Sequence, residues 1–302
     1  MQSLVTAPSG PGPSGPGPSG PGPSGPGPSG PGPEAGVEVR PGPELGPGAP
    51  LVSVQGVAKV FRRHGRAIKA LADVNLSVNE GEFVSLLGPS GCGKSTLLNI
   101  IAGILPYEDG RVVVNGAPVR GPGPDRGMLF QSPMLFSWLT TRDNVLFGPR
   151  ARHQRDLSRA QLRQQADVII ETVGLAGFAD AYPHELSGGM RHRAAFARAL
   201  INHPAVLLMD EPFGALDSLT RSRMHEFLLE LWGAHRMTII FVTHDIDEAV
   251  LLGDRVCVMG NRPASVVAEI DVPLGRPRHY EDLETETFLA TKRTVRAVLH
   301  GR

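Results

Sequence analysis

The sequence predicts an α/β fold built on a mostly parallel β-sheet that helices cover on both faces. Three short runs are almost wholly apolar, as is typical of strands buried on both faces: Glu82–Leu87, Val206–Met209 and Thr238–Thr243. Helical patterns separate these runs, and alternation of strands with helices favours a parallel sheet. Ligands of such sheets bind at the carboxyl ends of the strands, so the residues after each run are candidates for a functional site.

The other elements follow from periodicity and turn signals. Alternating apolar residues predict strands at Leu51–Val60 and Val74–Val78, joined by a linker. A helix predicted over Lys94–Gly103 carries Ile104 on its apolar face. The remaining predicted elements are a strand at Arg111–Val114, helices at Leu157–Val173 and Met190–Ile201, strands at Arg255–Met259 and Ser265–Ile270, and a closing helix.

Residues 1–50 are predicted to lie outside the folded part of the 302-residue chain. Five copies of Ser-Gly-Pro-Gly-Pro fill Ser9–Pro33, and the proline and glycine richness continues to about Pro50. The period of five excludes a collagen helix, which needs glycine at every third position. Because the segment has almost no apolar side chains, it cannot offset its ordering entropy, and we expect a disordered, partly polyproline-like tail. A tether or partner-docking arm is the alternative.

Charge and cysteine content narrow the partners. Lysine and arginine (30) balance aspartate and glutamate (30), which gives no sign of a nucleic-acid-binding arm and predicts no nucleic-acid partner. Two cysteines, Cys92 and Cys257, predict a reducing compartment without structural disulfides. Neither a signal-peptide pattern nor an apolar run long enough for a membrane span is found, so we expect any membrane role to depend on a partner.

A glycine-rich loop follows the first apolar run. It fits the phosphate-binding pattern G-x-x-x-x-G-K-[ST] and comprises Gly88, Pro89, Ser90, Gly91, Cys92, Gly93, Lys94, Ser95 and Thr96. Backbone N–H groups of such a loop, together with the N-terminus of the next helix, bind phosphate. Lys94 can reach the β- and γ-phosphates and Ser95 can ligate Mg²⁺, so the loop predicts a nucleotide site.

Two carboxylates follow the second apolar run. Asp210 can hold Mg²⁺ through water, and Glu211 can orient or deprotonate the water that attacks the γ-phosphate. The alternative is a solvated pair at a strand end. The phosphate loop upstream favours the catalytic interpretation.

A second motif points to a known family. Leu186–Met190 reads Leu-Ser-Gly-Gly-Met, and with the phosphate loop it resembles the ATP-binding cassette (ABC) ATPases. The resemblance implies a P-loop NTPase core with a RecA-like, mostly parallel sheet, an antiparallel β part and an α-helical subdomain inserted at about 136–200. It divides the chain into the tail at 1–50, an ABC ATPase domain at 51–262 and a C-terminal strand and helix extension at 263–302.

The resemblance assigns three further side chains. Gln131 is similar to the Q-loop glutamine, which contacts Mg²⁺ and the transport partner, and His244 to the switch histidine, which hydrogen-bonds the γ-phosphate. Taken alone, each is more often a solvated or structural residue. Phe61 stands at the place of the aromatic residue that stacks on adenine, with an ordinary core phenylalanine as the alternative.

The resemblance also implies a dimer. Ser187, Gly188 and Gly189 would bind the γ-phosphate of ATP held by another protomer, so two copies meet head to tail. Asp217 resembles the D-loop residue that crosses this interface. His192 departs from the family, which usually has glutamine there, and we expect it to tune the interface without loss of activity.

Finer details are similar to importers of nitrate, sulfonates and taurine. They are Phe136–Thr140, Asp143–Val145, Thr243–Ala249 and Arg276–Arg278. This resemblance implies an ATP-binding subunit that uses ATP and Mg²⁺ as a homodimer. It would drive separate permease subunits at the cytoplasmic face of the membrane, fed by an extracytoplasmic solute-binding protein.

Three alternatives remain beside this interpretation. They are another class of imported solute, a non-transport ABC ATPase, and a nucleotide-binding module without hydrolysis. The single phosphate loop and the absence of sustained heptads disfavour the second. The intact set of Lys94, Asp210, Glu211 and His244 disfavours the third.

The segment Ser132–Gly148 is dense in apolar residues. We expect Leu139 and Phe147 to be buried. Phe136 and Trp138 are expected to be partly exposed, as the lining of a groove that receives a permease helix.

Overall fold

The computed structural model describes residues 49–63, 66–151 and 158–301. We number strands and helices in chain order. The strands are β1 (Val52–Arg63), β2 (Arg66–Val78), β3 (Phe83–Leu87), β4 (Asp109–Val114), β5 (Ala117–Pro118), β6 (Arg126–Leu129), β7 (Val206–Asp210), β8 (Thr238–Thr243), β9 (Arg255–Met259) and β10 (Val266–Asp271). The α-helices are α1 (Lys94–Ile101), α2 (Thr141–Ala151), α3 (Arg159–Thr172), α4 (Gly188–Leu200), α5 (Ser218–His235), α6 (Ile246–Leu252) and α7 (Glu286–Leu299).

A six-stranded sheet forms the centre of the described residues, in the order β10-β9-β3-β8-β7-β6. The five strands from β9 to β6 are mutually parallel, and β10 pairs antiparallel with β9. Every residue of β3 and β8 is buried, because helices pack on both faces. The predicted α/β fold with a mostly parallel sheet is thereby confirmed.

A second, antiparallel sheet lies beside α1. Its order among the described strands is β2-β1-β4-β5. Its inward residues, among them Val54, Leu76 and Val112, join the apolar face of α1 in one buried cluster. This sheet positions Phe61 near the end of β1.

Helices α2, α3 and α4 share the second buried cluster with the other face of the central sheet. Val145 of α2, Ile170 of α3 and Phe196 of α4 are fully buried in it. These helices fall within the segment predicted as an inserted helical subdomain. No helix of the described ranges is both long and apolar enough to cross a bilayer.

Four expectations differ from the structure, the first being Leu139, which was predicted to be buried and is only half-buried. The predicted linker before Val74 is the first half of β2, whose residues 66–69 are all exposed, so no apolar alternation marked it. Helix α1 ends at Ile101, and Gly103 (φ +75°) turns the chain so that Ile104 is half exposed. Phe147, predicted to be buried, is 46% exposed, because its ring packs against Phe136 at the surface of α2. The predicted tail lies, but for residues 49–50, outside the described residues.

Candidate functional site

The carboxyl ends of three adjacent strands meet at one edge of the central sheet. Strand β8 lies between β3 and β7, so the loop after β3, the end of β7 and the turn after β8 are neighbours. Gly88 follows β3, Asp210 ends β7 and His244 follows β8. The sheet order brings together residues that are more than 150 positions apart in the chain.

The phosphate loop requires glycine at several positions. Gly91 (φ +73°) and Gly93 (φ +135°) have backbone conformations that side chains rarely allow. A Cβ built on Gly88 would lie 2.8 Å from the carbonyl oxygen of Met259, at the end of β9. Helix α1 then begins without a side-chain cap and with no acidic residue in its first turn. Its first N–H groups are therefore open to an anion.

Lys94 points back into its own loop. Its Nζ donates to the carbonyl oxygens of Gly88 at 2.7 Å and Pro89 at 3.1 Å, and it lies 4.0 Å from Oε1 of Glu211. The side chain is almost fully buried. A buried ammonium held by neutral carbonyls can be turned onto a phosphate at little cost, since a charged oxygen is the stronger acceptor.

Asp210 and Ser95 form an oxygen-rich pair that fits a divalent cation. The hydroxyl of Ser95 donates to Oδ1 of Asp210 at 2.8 Å. Burial raises the pKa of Asp210, the Ser95 hydrogen bond lowers it in part, and the neighbouring charge of Glu211 raises it further. A bound Mg²⁺ would relieve this accumulation of negative charge, and carboxylate and hydroxyl oxygens are ligands that it prefers.

Glu211 and His244 are in direct contact. Nδ1 of His244 lies 2.9 Å from Oε2 of Glu211, and the imidazole is otherwise exposed. Gln131 joins this group from the loop after β6. A Cβ built on Gly214 would lie 3.4 Å from Nε2 of Gln131 and 3.8 Å from Oε2 of Glu211. The structure thus brings Lys94, Glu211, His244 and Gln131 to one edge.

The Ser187 segment and Phe61 lie apart from this group. Ser187 caps α4 by accepting from the N–H of Met190, and Gly189 packs near Thr220 at the start of α5. No hydrogen bond or ion pair of the described residues joins residues 187–189 to the phosphate loop. Phe61 is 39% exposed, with Nζ of Lys59 at 5.5 Å from its ring centroid, so it is not a core residue.

The structure adds a buried polar pair that the sequence analysis missed. His225 of α5 contacts Glu248 of α6 directly behind the turn that carries His244. The available signal was a polar residue on the otherwise apolar buried face of a helix, since Met224 and Leu228 flank His225 there.

Comparison with known proteins identifies the family. The sequence pattern of the ABC transporter family matches residues 71–214. A taurine import ATP-binding protein of Ruegeria pomeroyi is 49% identical over 223 residues, which are 74% of this chain and 82% of that protein. A nitrate import ATP-binding protein of Synechococcus elongatus is 44% identical over 239 residues, 79% and 87% of the two chains. The chain belongs to the ABC transporter family.

A solved ABC cassette has the same fold. A dimeric cassette in a post-hydrolysis state, bound to ADP and phosphate, matches 74% of this chain and 100% of its own with a TM-score of 0.64 and 33% identity. The predicted class, an ATP-hydrolysing ABC subunit with a P-loop NTPase fold, is confirmed, as is the resemblance to the nitrate, sulfonate and taurine group. Family membership establishes ATP as the ligand of this ABC protein. The roles of its individual site residues stay predictions.

Proposed function

We propose that this chain is the ATPase subunit of an importer for nitrate, a sulfonate, taurine or a related small solute. The observation that carries the proposal is the convergence of Lys94, Glu211 and His244 at one sheet edge, within a chain whose relatives are named for import. The chain would work at the cytoplasmic face of the membrane as a peripheral subunit bound to permeases.

Hydrolysis follows from positioning and electrostatics. Lys94 would exchange the carbonyl oxygens of Gly88 and Pro89 for phosphate oxygens. Glu211 would accept a proton from the attacking water. His244, in contact with that carboxylate, would orient it and hydrogen-bond the γ-phosphate.

Ser95, Asp210 and Gln131 would hold Mg²⁺, which supplies neutralisation of charge on the phosphate oxygens. The Ser95–Asp210 hydrogen bond already holds two of these oxygen ligands together. The whole phosphate loop, Gly88 to Thr96, would surround the phosphates, and Phe61 would stack on the adenine.

The site is completed by a second copy. Ser187, Gly188 and Gly189 lie against the start of α5 and away from the phosphate loop of their own chain. In a head-to-tail homodimer they would close over ATP held by the other protomer, with Asp217 crossing the interface. The exposed Trp138 and the partly exposed Phe136 would contact the permease.

Uptake by vesicles tests the function as a whole. Right-side-out membrane vesicles would be prepared from cells that carry either the wild-type chain or Glu211→Gln. ATP would be loaded into their lumen, which corresponds to the cytoplasm. Labelled taurine, an alkanesulfonate and nitrate would be offered on the other side. We expect ATP-dependent uptake of one of them with the wild type and none with the variant. Equal uptake with both proteins would refute the transport role, and uptake of none of the three would refute the solute class.

A further inference from the structure

The turn that carries His244 is fixed by buried side chains on the side away from the candidate site. The imidazole itself is exposed, and Glu211 is its only polar partner of the described residues. The position of His244 therefore depends on the backbone that links β8 to α6.

Thr243 fixes this backbone on both sides of His244. Its hydroxyl accepts from the N–H of Asp245 at 3.0 Å, which closes a tight turn with His244 at the apex. The same hydroxyl donates to Oε2 of Glu248 at 2.6 Å. The carboxylate of Asp245 caps α6 by accepting from two N–H groups of its first turn.

Glu248 is anchored in turn to helix α5. Nε2 of His225 lies 3.0 Å from Oε1 of Glu248. We call the hydrogen-bonded side chains of His225, Glu248 and Thr243 the buried triad, because all three are at least nine-tenths buried. Burial raises the pKa of the Glu248 carboxyl, but hydrogen bonds from His225 and Thr243, with the charge of Arg221, hold it below its usual range. A carboxylate only accepts hydrogen bonds, so His225 must donate from Nε2.

His225 also contacts the segment that follows Glu211. The ring of Phe213, two residues after Glu211, packs against the ring of His225 at 5.4 Å in an edge-to-face arrangement. One buried imidazole therefore lies between the segment that carries Glu211 and the turn that carries His244. Helix α5, to which it belongs, begins at Ser218 with Asp217 as its N-cap.

We propose that His225 is a positioning residue which, through Glu248 and Thr243, holds His244 against Glu211. This inference rests on the proposed roles of His244 and Glu211 in hydrolysis. Because both elements contact α5, a displacement of this helix at its Asp217 end would move His244 and Glu211 together. The buried triad would therefore couple hydrolysis to the binding of the second protomer.

Matched threonine variants test the role of the buried triad in the full-length protein. Thr243→Val removes the hydroxyl at the active-site end of β8. Thr238→Val removes an equally buried hydroxyl at the opposite end of the same strand, where, among the described residues, it accepts from the N–H of Gly81 alone. We expect Thr243→Val to lower kcat on the order of tenfold or more, because small misplacements of reacting groups are costly. The Kd for ATP should change less than twofold, Thr243→Ser should restore kcat, and Thr238→Val should leave it unchanged.

Variants of His225 test the member of the buried triad that lies farthest from His244. His225→Gln keeps a donor for Glu248 and should retain most of kcat, whereas His225→Ala should lose as much as Thr243→Val. The double variant Thr243→Val/His225→Ala should be no slower than the slower single variant, since both substitutions disrupt the same buried triad. Melting temperatures of all variants show whether each protein is folded.

Three results would overturn the inference. They are equal kcat for Thr243→Val and Thr238→Val, losses of kcat that follow only the loss of Tm, and multiplicative losses in the double variant. His244→Ala separates this inference from the proposed function. Full turnover of His244→Ala would refute the role of His244 itself. Loss of turnover in His244→Ala, together with normal turnover in Thr243→Val and His225→Ala, would refute only the role of the buried triad.

Discussion

Glu211 has a backbone conformation that few residues adopt. Its φ of +45° lies in the left-handed region, which is uncommon for residues other than glycine. The N–H of Glu211 is held by the carbonyl oxygen of Val242 at 3.0 Å, and its carboxylate contacts His244. Such strain persists where the surroundings determine it, and it is common at functional sites. The fold thus turns this carboxylate away from the strand axis and into the site.

Glu211→Gln should bind ATP but not turn it over, because an amide cannot accept the proton of the attacking water. The protein should accumulate as an ATP-bound dimer, which size-exclusion chromatography detects alongside a kcat reduced more than tenfold. Glu171→Gln, at an exposed position of α3, is the control and should behave like the wild type. Turnover of Glu211→Gln within about tenfold of the wild type would exclude Glu211 as general base.

His192 makes stability depend on pH. It is 5% exposed on α4, and burial, with the charge of Arg191, lowers its pKa below 6.5. The unfolded chain takes up this proton at about pH 6.5 and the folded chain only at lower pH. The free energy of unfolding therefore decreases as pH falls through that range.

His192→Gln should remove this contribution. The decrease in Tm between pH 7.5 and pH 5.5 should be about 1–3 °C smaller in the variant than in the wild type. His235→Gln, at the exposed end of α5, provides the control. The same decrease in all three proteins, measured by calorimetry, would show that His192 does not contribute.

At the scale of elements, the segment between β6 and α2 presents one exposed ring, that of Trp138, on a fixed backbone. Asn144, fully buried in α2, accepts from the N–H of Phe136 and donates to the carbonyl oxygens of Phe136, Leu139 and Thr140. Trp138 is nevertheless 71% exposed, with its ring 5.4 Å from that of Phe136. A large aromatic side chain that is held rigidly in solvent is typical of an interface anchor.

Trp138→Ala should leave the fold and the basal ATPase rate near normal, because so little of the side chain is buried. It should weaken co-purification with the permease, measured on the same preparation. Tyr280→Ala removes another exposed aromatic residue, far along the chain in the C-terminal extension, and should not affect the complex. A collapsed fold with unchanged co-purification would mean that Trp138 belongs to the core.

How well an element could be predicted depended on its burial. Strands β3, β7, β8 and β9 are continuous apolar runs, so their positions, and the meeting of Gly88, Asp210 and His244, followed from the sequence. The exposed half of β2 carries no such pattern. The contact between His225 and Glu248 joins two helices through single side chains 23 residues apart. The helix pattern could mark His225 as a polar residue on a buried face, but no pattern identifies its partner.

At the scale of the whole molecule, the candidate site lies within the cassette. Its residues extend from Phe61 to His244, and its contacts join the start of α1, the end of β7 and the residues that directly follow β7 and β8. Residues 1–45 lie outside the described residues, and few of their side chains are apolar.

Deletion of residues 1–45 should therefore change Tm and the ATPase rate little, because a segment with so few apolar side chains contributes little to stability. Thermal unfolding and ATP turnover of the truncated and full-length proteins measure this. A loss of several degrees in Tm, or of most activity, would show that the tail docks on the fold.

In the proposed transport cycle, the contact of Lys94 with its own loop would affect the timing. Since its ammonium group bridges the carbonyl oxygens of Gly88 and Pro89, the loop keeps its shape between nucleotides. Arrival of ATP would then need a rotation of one side chain instead of refolding of the backbone. In a two-protomer cycle, the slow step of replacing ADP by ATP would lie in the separation of the protomers, which takes microseconds or longer. The permease, by holding the protomers apart or together, would thereby set the pace of the ATPase.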